Sequence, residues 1–226
     1  HDGSGQPIYV TAFLGSASGE LRQAWELGTP YFTTTGIAAG DFDGDGKTDV
    51  AIATSDNRAA VLVLKGLGTG EFAAPLALPP LATSPDVSDG TRAIAAGDLN
   101  GDGLDDIVVA CFELTNQLLV RLSTGPGFAD PKPLPLPSPV DVGLGDLNGD
   151  GKPDLAAPNL AQGTVSLLYG HGDGSFEPPV DVPMGPDPAS VVVADFDGNR
   201  LADIAVASLT EDAIRVLLNP VNGAAR

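Results

Sequence analysis

Basic residues are scarce in this chain. It contains 11 Lys and Arg against 30 Asp and Glu, which gives a formal net charge of −19. Proteins that bind nucleic acids contact the phosphates through clusters of Lys and Arg, whereas the few basic residues here are scattered along 226 positions. The composition therefore predicts that the chain does not bind nucleic acid.

Cysteine and histidine are nearly absent as well, with one Cys and two His. Cys111 cannot form an internal disulfide, and its place in the apolar run 107–111 is typical of a buried, unreactive thiol. Two histidines without any Ser-His-Asp spacing give little support for an enzyme. No apolar stretch approaches the roughly 20 residues that span a bilayer, so no membrane span is predicted.

The acidic residues are concentrated in a nine-residue loop that occurs four times. Positions 1, 3, 5 and 9 carry Asp or Asn, and position 4 is always Gly. The copies are loop 1 (41–49, DFDGDGKTD), loop 2 (98–106, DLNGDGLDD), loop 3 (146–154, DLNGDGKPD) and loop 4 (195–203, DFDGNRLAD). Asp, Asn and Gly also dominate ordinary turns. Four copies in the same register make an ordinary turn an insufficient explanation.

A hard cation is the ligand that these loops predict. Ca²⁺ binds about six to eight oxygen atoms in a flexible shell, and Mg²⁺ prefers fewer protein ligands. The loops contain no Cys or His, which argues against zinc and copper. Side chains at positions 1, 3, 5 and 9 and the backbone carbonyl at position 7 would bind Ca²⁺. The predicted ligands are Asp41, Asp43, Asp45, Lys47 and Asp49; Asp98, Asn100, Asp102, Leu104 and Asp106; Asp146, Asn148, Asp150, Lys152 and Asp154; Asp195, Asp197, Asn199, Leu201 and Asp203.

The four sites are not expected to be equal, and we expect three to four Ca²⁺ ions. Loop 1 offers four carboxylates, whereas Asn100 and Asn148 leave three in loops 2 and 3. Loop 4 has Asn199 at position 5 and Arg200 at position 6, where the other loops have Gly. A non-Gly residue in a left-handed conformation costs roughly 1–2 kcal/mol, and a nearby cation repels Ca²⁺. Loop 4 is therefore predicted to be the weakest site.

Each loop belongs to a repeat of about 50 residues, since the loops start 57, 48 and 49 residues apart. Short apolar runs precede and follow every loop, and they are too short for helices. A third apolar run follows a polar turn, and then come a Gly-rich hairpin ending in Phe and a Pro-containing segment. Four antiparallel strands per repeat, with Ala and Gly in the first, predict the blades of a β-propeller.

The order of these motifs resembles the FG-GAP/VCBS repeat family over nearly the whole chain. The resemblance is carried by an apolar strand, an Asp-x-[Asp/Asn]-x-Asp-Gly-x-x-Asp loop, two further strands and a Gly-x-Gly-x-Phe hairpin. It implies an all-β, Ca²⁺-bound propeller in which each loop joins the first two strands of a blade. The family includes the integrin α-subunit propeller and several lectins. We therefore expect a non-catalytic binding module at an extracellular, cell-surface or periplasmic location; the alternatives are a polysaccharide lyase or dehydratase, or a purely structural assembly repeat.

The repeat predicts a single propeller domain over residues 1–226. A partial blade (1–35) precedes blades at about 36–90, 91–138 and 139–188, and an incomplete blade (189–226) follows. Residues 22–28 could supply the missing fourth strand of the last blade and close a ring of four. The favoured alternative is five blade positions, incomplete or part of a larger propeller, which another chain or chain segment completes.

Ligands are expected on the face opposite the acidic loops. The loops and the hairpins between third and fourth strands share one face of a propeller, and in integrin-like relatives the other face meets ligands. Loops on a rigid scaffold often carry binding residues. A carbohydrate or protein ligand is expected there, and the candidate residues are Tyr31, Phe32, Asp56, Arg58, Glu113, Asn116 and Asn159.

Overall fold

The computed structural model describes residues 8–29, 34–56, 59–79, 90–112 and 115–219. Their regular secondary structure is entirely β, and no helix in these ranges is long and apolar enough to cross a membrane. The strands are β1 (Ile8–Gly15), β2 (Leu21–Thr29), β3 (Thr34–Gly40), β4 (Asp49–Asp56), β5 (Ala59–Leu64), β6 (Leu76–Leu78), β7 (Thr91–Gly97), β8 (Asp106–Cys111), β9 (Gln117–Arg121), β10 (Lys132–Pro135), β11 (Gly143–Gly145), β12 (Asp154–Asn159), β13 (Thr164–Leu168), β14 (Val180–Pro183), β15 (Pro188–Ala194), β16 (Asp203–Ser208) and β17 (Ile214–Leu217).

Antiparallel pairing joins these strands into sheets in the order of the chain. Blade 1 is β3–β6, blade 2 is β7–β10, blade 3 is β11–β14, and blade 4 contains the three strands β15–β17. A two-stranded sheet, β1–β2, precedes blade 1. Each acidic loop connects the first strand of a blade to the second. The predicted all-β propeller of antiparallel blades is confirmed.

The first sheet shows where residues 22–28 lie. They belong to β2, which pairs with β1, and Trp25 and Leu27 pack against Ile52 and Leu62 of blade 1. The sheet therefore occupies the blade position before blade 1. Within the described residues, no strand pairs with the outer edge of β17. Closure of the last blade by residues 22–28 is thus not the arrangement in this structure.

The hydrophobic core lies between successive blades. In β4, Ala51 and Ala53 pack toward blade 2, whereas Ile52 packs toward the β1–β2 sheet. In β8, Val109 packs toward blade 1 and Val108 toward blade 3. Successive side chains of a strand point to opposite faces, and both faces of these strands are covered by neighbouring blades. This is why the second strands are continuous apolar runs rather than alternating ones.

The first strands of neighbouring blades approach each other closely. A Cβ atom on Gly145 would lie 2.5 Å from Cγ1 of Val193, and one on Gly143 would lie 2.7 Å from Cγ2 of the same residue. A larger side chain at either position would push blades 3 and 4 apart. This crowding accounts for the Gly and Ala of the first strands.

The last Asp of each loop forms a buried clamp between the loop and the third strand of its blade. One carboxylate oxygen of Asp106 accepts a hydrogen bond from the backbone N–H of Leu99 at 2.9 Å, and the other accepts one from Ser123 at 2.7 Å. Leu99 is position 2 of the loop, and Ser123 follows the third strand. The same two bonds recur at Asp49, Asp154 and Asp203.

Burial of the clamp carboxylates opposes their ionisation. Burial raises the pKa of Asp106 to about 6; hydrogen bonds from Ser123 and Leu99 oppose this shift, whereas the charges of Asp102 and Asp98 add to it. Burial also raises the pKa of Asp49 and of Asp154. Above about pH 6, Asp106 is a carboxylate that can accept both backbone hydrogens. The ionised Asp106 then lies close to the negatively charged Asp98 and Asp102.

Replacing Asp106 with Asn removes one acceptor of the clamp and leaves a buried backbone N–H without its partner. At about pH 7.5 and in excess EGTA, the unpaired N–H costs about 1–3 kcal/mol, and removal of the buried charge of Asp106, whose pKa is raised, offsets part of this cost. We expect a net fall of about 1 kcal/mol in the free energy of unfolding, measured by urea denaturation. Asp102→Asn is the matched control, since Asp102 is exposed and its hydrogen bonds stay within loop 2. It should change stability by less than about 0.5 kcal/mol; equal losses in the two variants would contradict the clamp.

Candidate metal centre

Each acidic loop is folded around its first Asp. In loop 1, Oδ1 of Asp41 accepts the backbone N–H of Gly44, and Oδ2 accepts that of Gly46, both at 2.8 Å. Position 1 of the other loops accepts the N–H groups of positions 4 and 6 in the same way. In each of the four loops, the carboxylate at position 1 therefore sets the conformation by accepting hydrogen bonds from the backbone of that loop.

Positions 3 and 5 continue this pattern along the loop. Oδ1 at position 3 accepts the N–H of position 5, and Oδ1 at position 5 accepts the N–H of position 7. Asn100, Asn148 and Asn199 make these bonds through their amide oxygens just as Asp does through a carboxylate. Loop 4 thus has the same local fold as the others despite its departures in sequence.

Carboxylates converge in the first and last loops. One oxygen from each of Asp41, Asp43 and Asp49 lies within 4.8 Å of the others, and the same holds for Asp195, Asp197 and Asp203. Asp45 is not in the first group, and its Oδ2 lies 2.6 Å from Nζ of Lys47. In loops 2 and 3 the third carboxylate of such a group is replaced by an Asn amide.

This set of donor atoms fits a hard cation. Carboxylate and amide oxygens are the ligands that Ca²⁺ prefers, together with backbone carbonyls, and the loops contain no nitrogen or sulfur ligand of the kind that selects zinc. The buried clamp carboxylate gives the fit a second basis. Burial and like charges penalise its ionised form, and a bound divalent cation would favour that form.

Position 6 adopts a left-handed backbone conformation in every loop. Its φ angle is 79° at Gly46, 84° at Gly103 and 80° at Gly151, and it is 74° at Arg200. The left-handed conformation expected at Arg200 is therefore present. A side chain in this conformation costs roughly 1–2 kcal/mol, so loop 4 carries strain that the other loops avoid.

Loops 1 to 3 are also bonded to the following blade. The carbonyl at position 2 accepts a hydrogen bond from the second residue after the third strand of the next blade, or from the hairpin that follows that strand. These pairs are Phe42 with Oγ of Ser123, Leu99 with the backbone N–H of Gly174, and Leu147 with Nδ2 of Asn219. An ordered loop therefore also positions the chain that follows the third strand of the next blade.

One cation near loop 1 was not among the predicted site residues. Nζ of Lys65 lies 2.9 Å from Oδ2 of Asp43. Lys65 directly follows the third strand of blade 1, where the other repeats have Leu122, Tyr169 and Leu218. The signal that could have found it is a single charge at a repeat position that is otherwise apolar or aromatic.

The residues expected on the ligand face are only partly described. Tyr31, Phe32, Arg58 and Glu113 lie outside the described residues. Asp56 is at the end of β4, and Asn116 precedes β9 with a φ of 46°. The carbonyl of Asn116 accepts the N–H of Leu136 at 3.0 Å. Of these candidates, the described residues place only Asp56, on blade 1, and Asn116, on blade 2.

The structure corrects the expectation for Asn159. This side chain is fully buried at the end of β12. Its Nδ2 donates to Oγ1 of Thr164 at 3.2 Å and to Oγ of Ser166 at 2.7 Å, and the Ser166 hydroxyl donates to Asp181 at 2.5 Å. Pro158 and Asn159 resemble the start of a polar turn, but β12 continues through both. Asn159 therefore holds blade 3 together and does not face a ligand.

Known proteins share both the repeats and the fold. A family model described as FG-GAP-like repeat matches residues 41–109, 100–157 and 146–206. Human integrin alpha-7 is 31% identical over 154 residues, which cover 57% of this chain and 13% of the integrin. The chain thus spans only a small part of that relative.

Two solved structures show the same fold at low sequence identity. One is an Agrocybe aegerita lectin that recognises non-reducing terminal N-acetylglucosamine; it has a TM-score of 0.53 and 21% identity, and the match covers 80% of this chain and 51% of the lectin. The other is a Bacillus licheniformis rhamnogalacturonan lyase with a TM-score of 0.52 and 15% identity, covering 96% of this chain and 44% of the lyase. With its three matched repeats and its antiparallel blades, the chain belongs to the FG-GAP-like repeat family.

Proposed function

We propose that this chain is a calcium-stabilised, non-catalytic binding module of an extracellular or cell-surface protein. The observation that carries the proposal is the repetition of one loop geometry in four places, with carboxylates converging within 4.8 Å in loops 1 and 4. Ca²⁺ is structural in this proposal. It would be held by positions 1, 3, 5 and 9 and by the carbonyl of position 7, and it would offset the repulsion among the loop carboxylates.

The bonds between loops and neighbouring blades support a structural role for the metal. Phe42 and Leu147 of loops 1 and 3 accept hydrogen bonds from Ser123 and Asn219 of the following blades. A cation that orders the loop would therefore also hold the blade-to-blade contact. Metal binding contributes to folding when the unfolded chain has no preformed site.

The binding role is supported by the relatives. Human integrin alpha-7 is 31% identical over 154 residues, and the Agrocybe aegerita lectin with the same fold recognises a carbohydrate. We propose a carbohydrate or protein ligand on the face opposite the acidic loops. The candidate residues that remain are Tyr31, Phe32, Asp56, Arg58, Glu113 and Asn116.

Chelation is expected to lower the melting temperature by about 15–30 °C. Each occupied site contributes about 2.7 kcal/mol at a free Ca²⁺ concentration a hundredfold above its Kd. For a domain of this size, 1 kcal/mol shifts the midpoint by about 2–4 °C, and three sites act together. Differential scanning calorimetry with Ca²⁺, with EDTA, and with EDTA followed by excess Ca²⁺ measures the effect. An unchanged midpoint in EDTA would refute the structural role of calcium.

Exchanging the residues at position 6 tests the expected weakness of loop 4. Arg200→Gly removes both the backbone strain and the nearby positive charge, so we expect the Ca²⁺ affinity of loop 4 to rise about tenfold or more. Gly151→Arg is the reciprocal variant and should weaken loop 3 by a similar factor. A Cβ on Gly151 would meet no atom within 4 Å, so its effect reports strain and charge rather than a clash. Calorimetric titration measures both; an unchanged affinity in Arg200→Gly would contradict the ranking.

A binding screen tests the ligand side of the proposal. We expect the protein to bind a subset of glycans or matrix proteins on an array in the presence of Ca²⁺, and the signal to fall at least about tenfold in EGTA because the blades that carry the ligand loops lose their supporting contacts. Arg58→Ala, on the proposed ligand face, should reduce binding without lowering the melting temperature. Unchanged binding in EGTA would contradict the dependence on Ca²⁺. Unchanged binding in Arg58→Ala would contradict a role for Arg58 in the ligand site.

A further inference from the structure

We propose that Lys65 is a built-in counter-cation of loop 1, which lowers the Ca²⁺ affinity of that loop and ties it to blade 2 when no metal is bound. The inference rests on the proposed function, because it concerns the strength of one of the proposed Ca²⁺ sites. It assigns to Lys65 a role in setting the affinity rather than in binding the ion.

The position of the ammonium group carries the inference. Nζ of Lys65 lies 2.9 Å from Oδ2 of Asp43, and the two side chains are 36% and 18% exposed. The same Nζ lies 3.5 Å from the carbonyl oxygen of Gly125, in the hairpin of blade 2. The ammonium group therefore sits between the third position of loop 1 and the neighbouring blade, partly shielded from water.

Comparison of the four repeats shows that the cation is specific to loop 1. The residue after Lys65 is Gly66, whose N–H donates to the clamp carboxylate Asp49. Ser123, Gly170 and Asn219 make the equivalent bond in the other blades. The residues equivalent to Lys65 are therefore Leu122, Tyr169 and Leu218, and none of them is charged.

Loop 1 also differs from loops 2 and 3 in the number of carboxylates at its predicted ligand positions. Loop 1 has a fourth carboxylate because position 3 is Asp43, whereas Asn100 and Asn148 occupy that position in loops 2 and 3. Lys65 pairs with that additional carboxylate. Its charge brings loop 1 from a formal charge of −3, counted over residues 41–49, to −2, which is the formal charge of loop 3; loop 2 has −4 because it contains Asp105 and no lysine.

The lysines at position 7 do not provide this difference. Lys47 lies 2.6 Å from Asp45, and Lys152 lies 3.6 Å from Asp150, so loops 1 and 3 have the same exposed pair. Both of these lysines are more than 40% exposed. Only Lys65 joins a loop carboxylate to the following blade among the described ion pairs.

A neighbouring ammonium group opposes a divalent cation directly. A single positive charge about 6 Å from Ca²⁺ in a water-like dielectric lowers the affinity about tenfold. Asp43 can bind Ca²⁺ through Oδ1 while Oδ2 keeps Lys65, or Lys65 can move away when the ion binds. In both cases the free loop is stabilised by Lys65 more than the loaded loop is.

The test measures the Ca²⁺ affinity of each loop in one sample of the whole chain. The backbone amide signals of Gly46, Gly103 and Gly151 in a ¹⁵N-labelled protein report loops 1, 2 and 3 during a titration in Ca²⁺ buffers. We expect Lys65→Leu to raise the affinity of loop 1 about tenfold. Loops 2 and 3 serve as internal controls and should stay within about twofold of the original protein.

A double variant supplies the matched control. Asp43→Asn with Lys65→Leu gives loop 1 the residue pair that loop 2 has in Asn100 and Leu122. Asp43→Asn alone should weaken loop 1 by about tenfold or more, because it removes a ligand charge and keeps the ammonium group. The double variant should return the affinity to within about threefold of the original.

The outcomes separate this inference from the proposed function. An unchanged or lower loop 1 affinity in Lys65→Leu, with loops 2 and 3 binding normally, would overturn the role of Lys65 alone. Absence of any Ca²⁺-dependent shift in the original protein would overturn the proposed function as well. If Lys65→Leu does not fold, Lys65→Gln keeps a polar side chain without the charge, and it carries the same expected gain and the same contradiction.

Discussion

The buried clamp at the last position of each acidic loop is the interaction on which the blades depend. A single carboxylate accepts one hydrogen bond from the start of the loop and another from the chain just after the third strand, as Asp106 does from Leu99 and Ser123. It thereby joins the first, second and third strands of a blade at one end. No apolar side chain could do this, since both donors are buried backbone N–H groups that need an acceptor.

The clamp also places a buried negative charge next to the other carboxylates of the loop. Burial raises the pKa of Asp106 to about 6, and the neighbouring Asp102 and Asp98 add to the shift. The loop places its remaining carboxylates next to this one, bonded to inward-facing backbone N–H groups. In the proposed function Ca²⁺ balances the charge, and in loop 1 Lys65 balances part of it from the protein itself. In that proposal, the fold and the metal affinity both result from one arrangement of charges.

Sequence reasoning was most reliable where the determining interactions are local or repeat along the chain. The loops, the short apolar strands and the Gly-rich hairpins recur at regular spacing, and their local bonds, such as Asp41 to Gly44 and Gly46, involve residues only a few positions apart. The left-handed backbone at Arg200 follows from the equivalent Gly in the other loops. Asn159 was misjudged because its burial depends on β12 extending through Pro158 and on Ser166 and Asp181 lying across the blade.

The sequence by itself thus determined the repeat, the all-β blades and the acidic loops, since a nine-residue loop between two apolar strands carries its own geometry. Tertiary structure decided which groups meet across blades. The contacts of Phe42 with Ser123 and of Lys65 with Gly125 join residues that are 81 and 60 positions apart. Such contacts depend on how closely neighbouring blades stack, which the crowding of Gly145 against Val193 limits. The spacing of residues in the sequence does not give the distance between neighbouring blades. Only the packed structure could therefore show that loop 1 carries its own counter-charge.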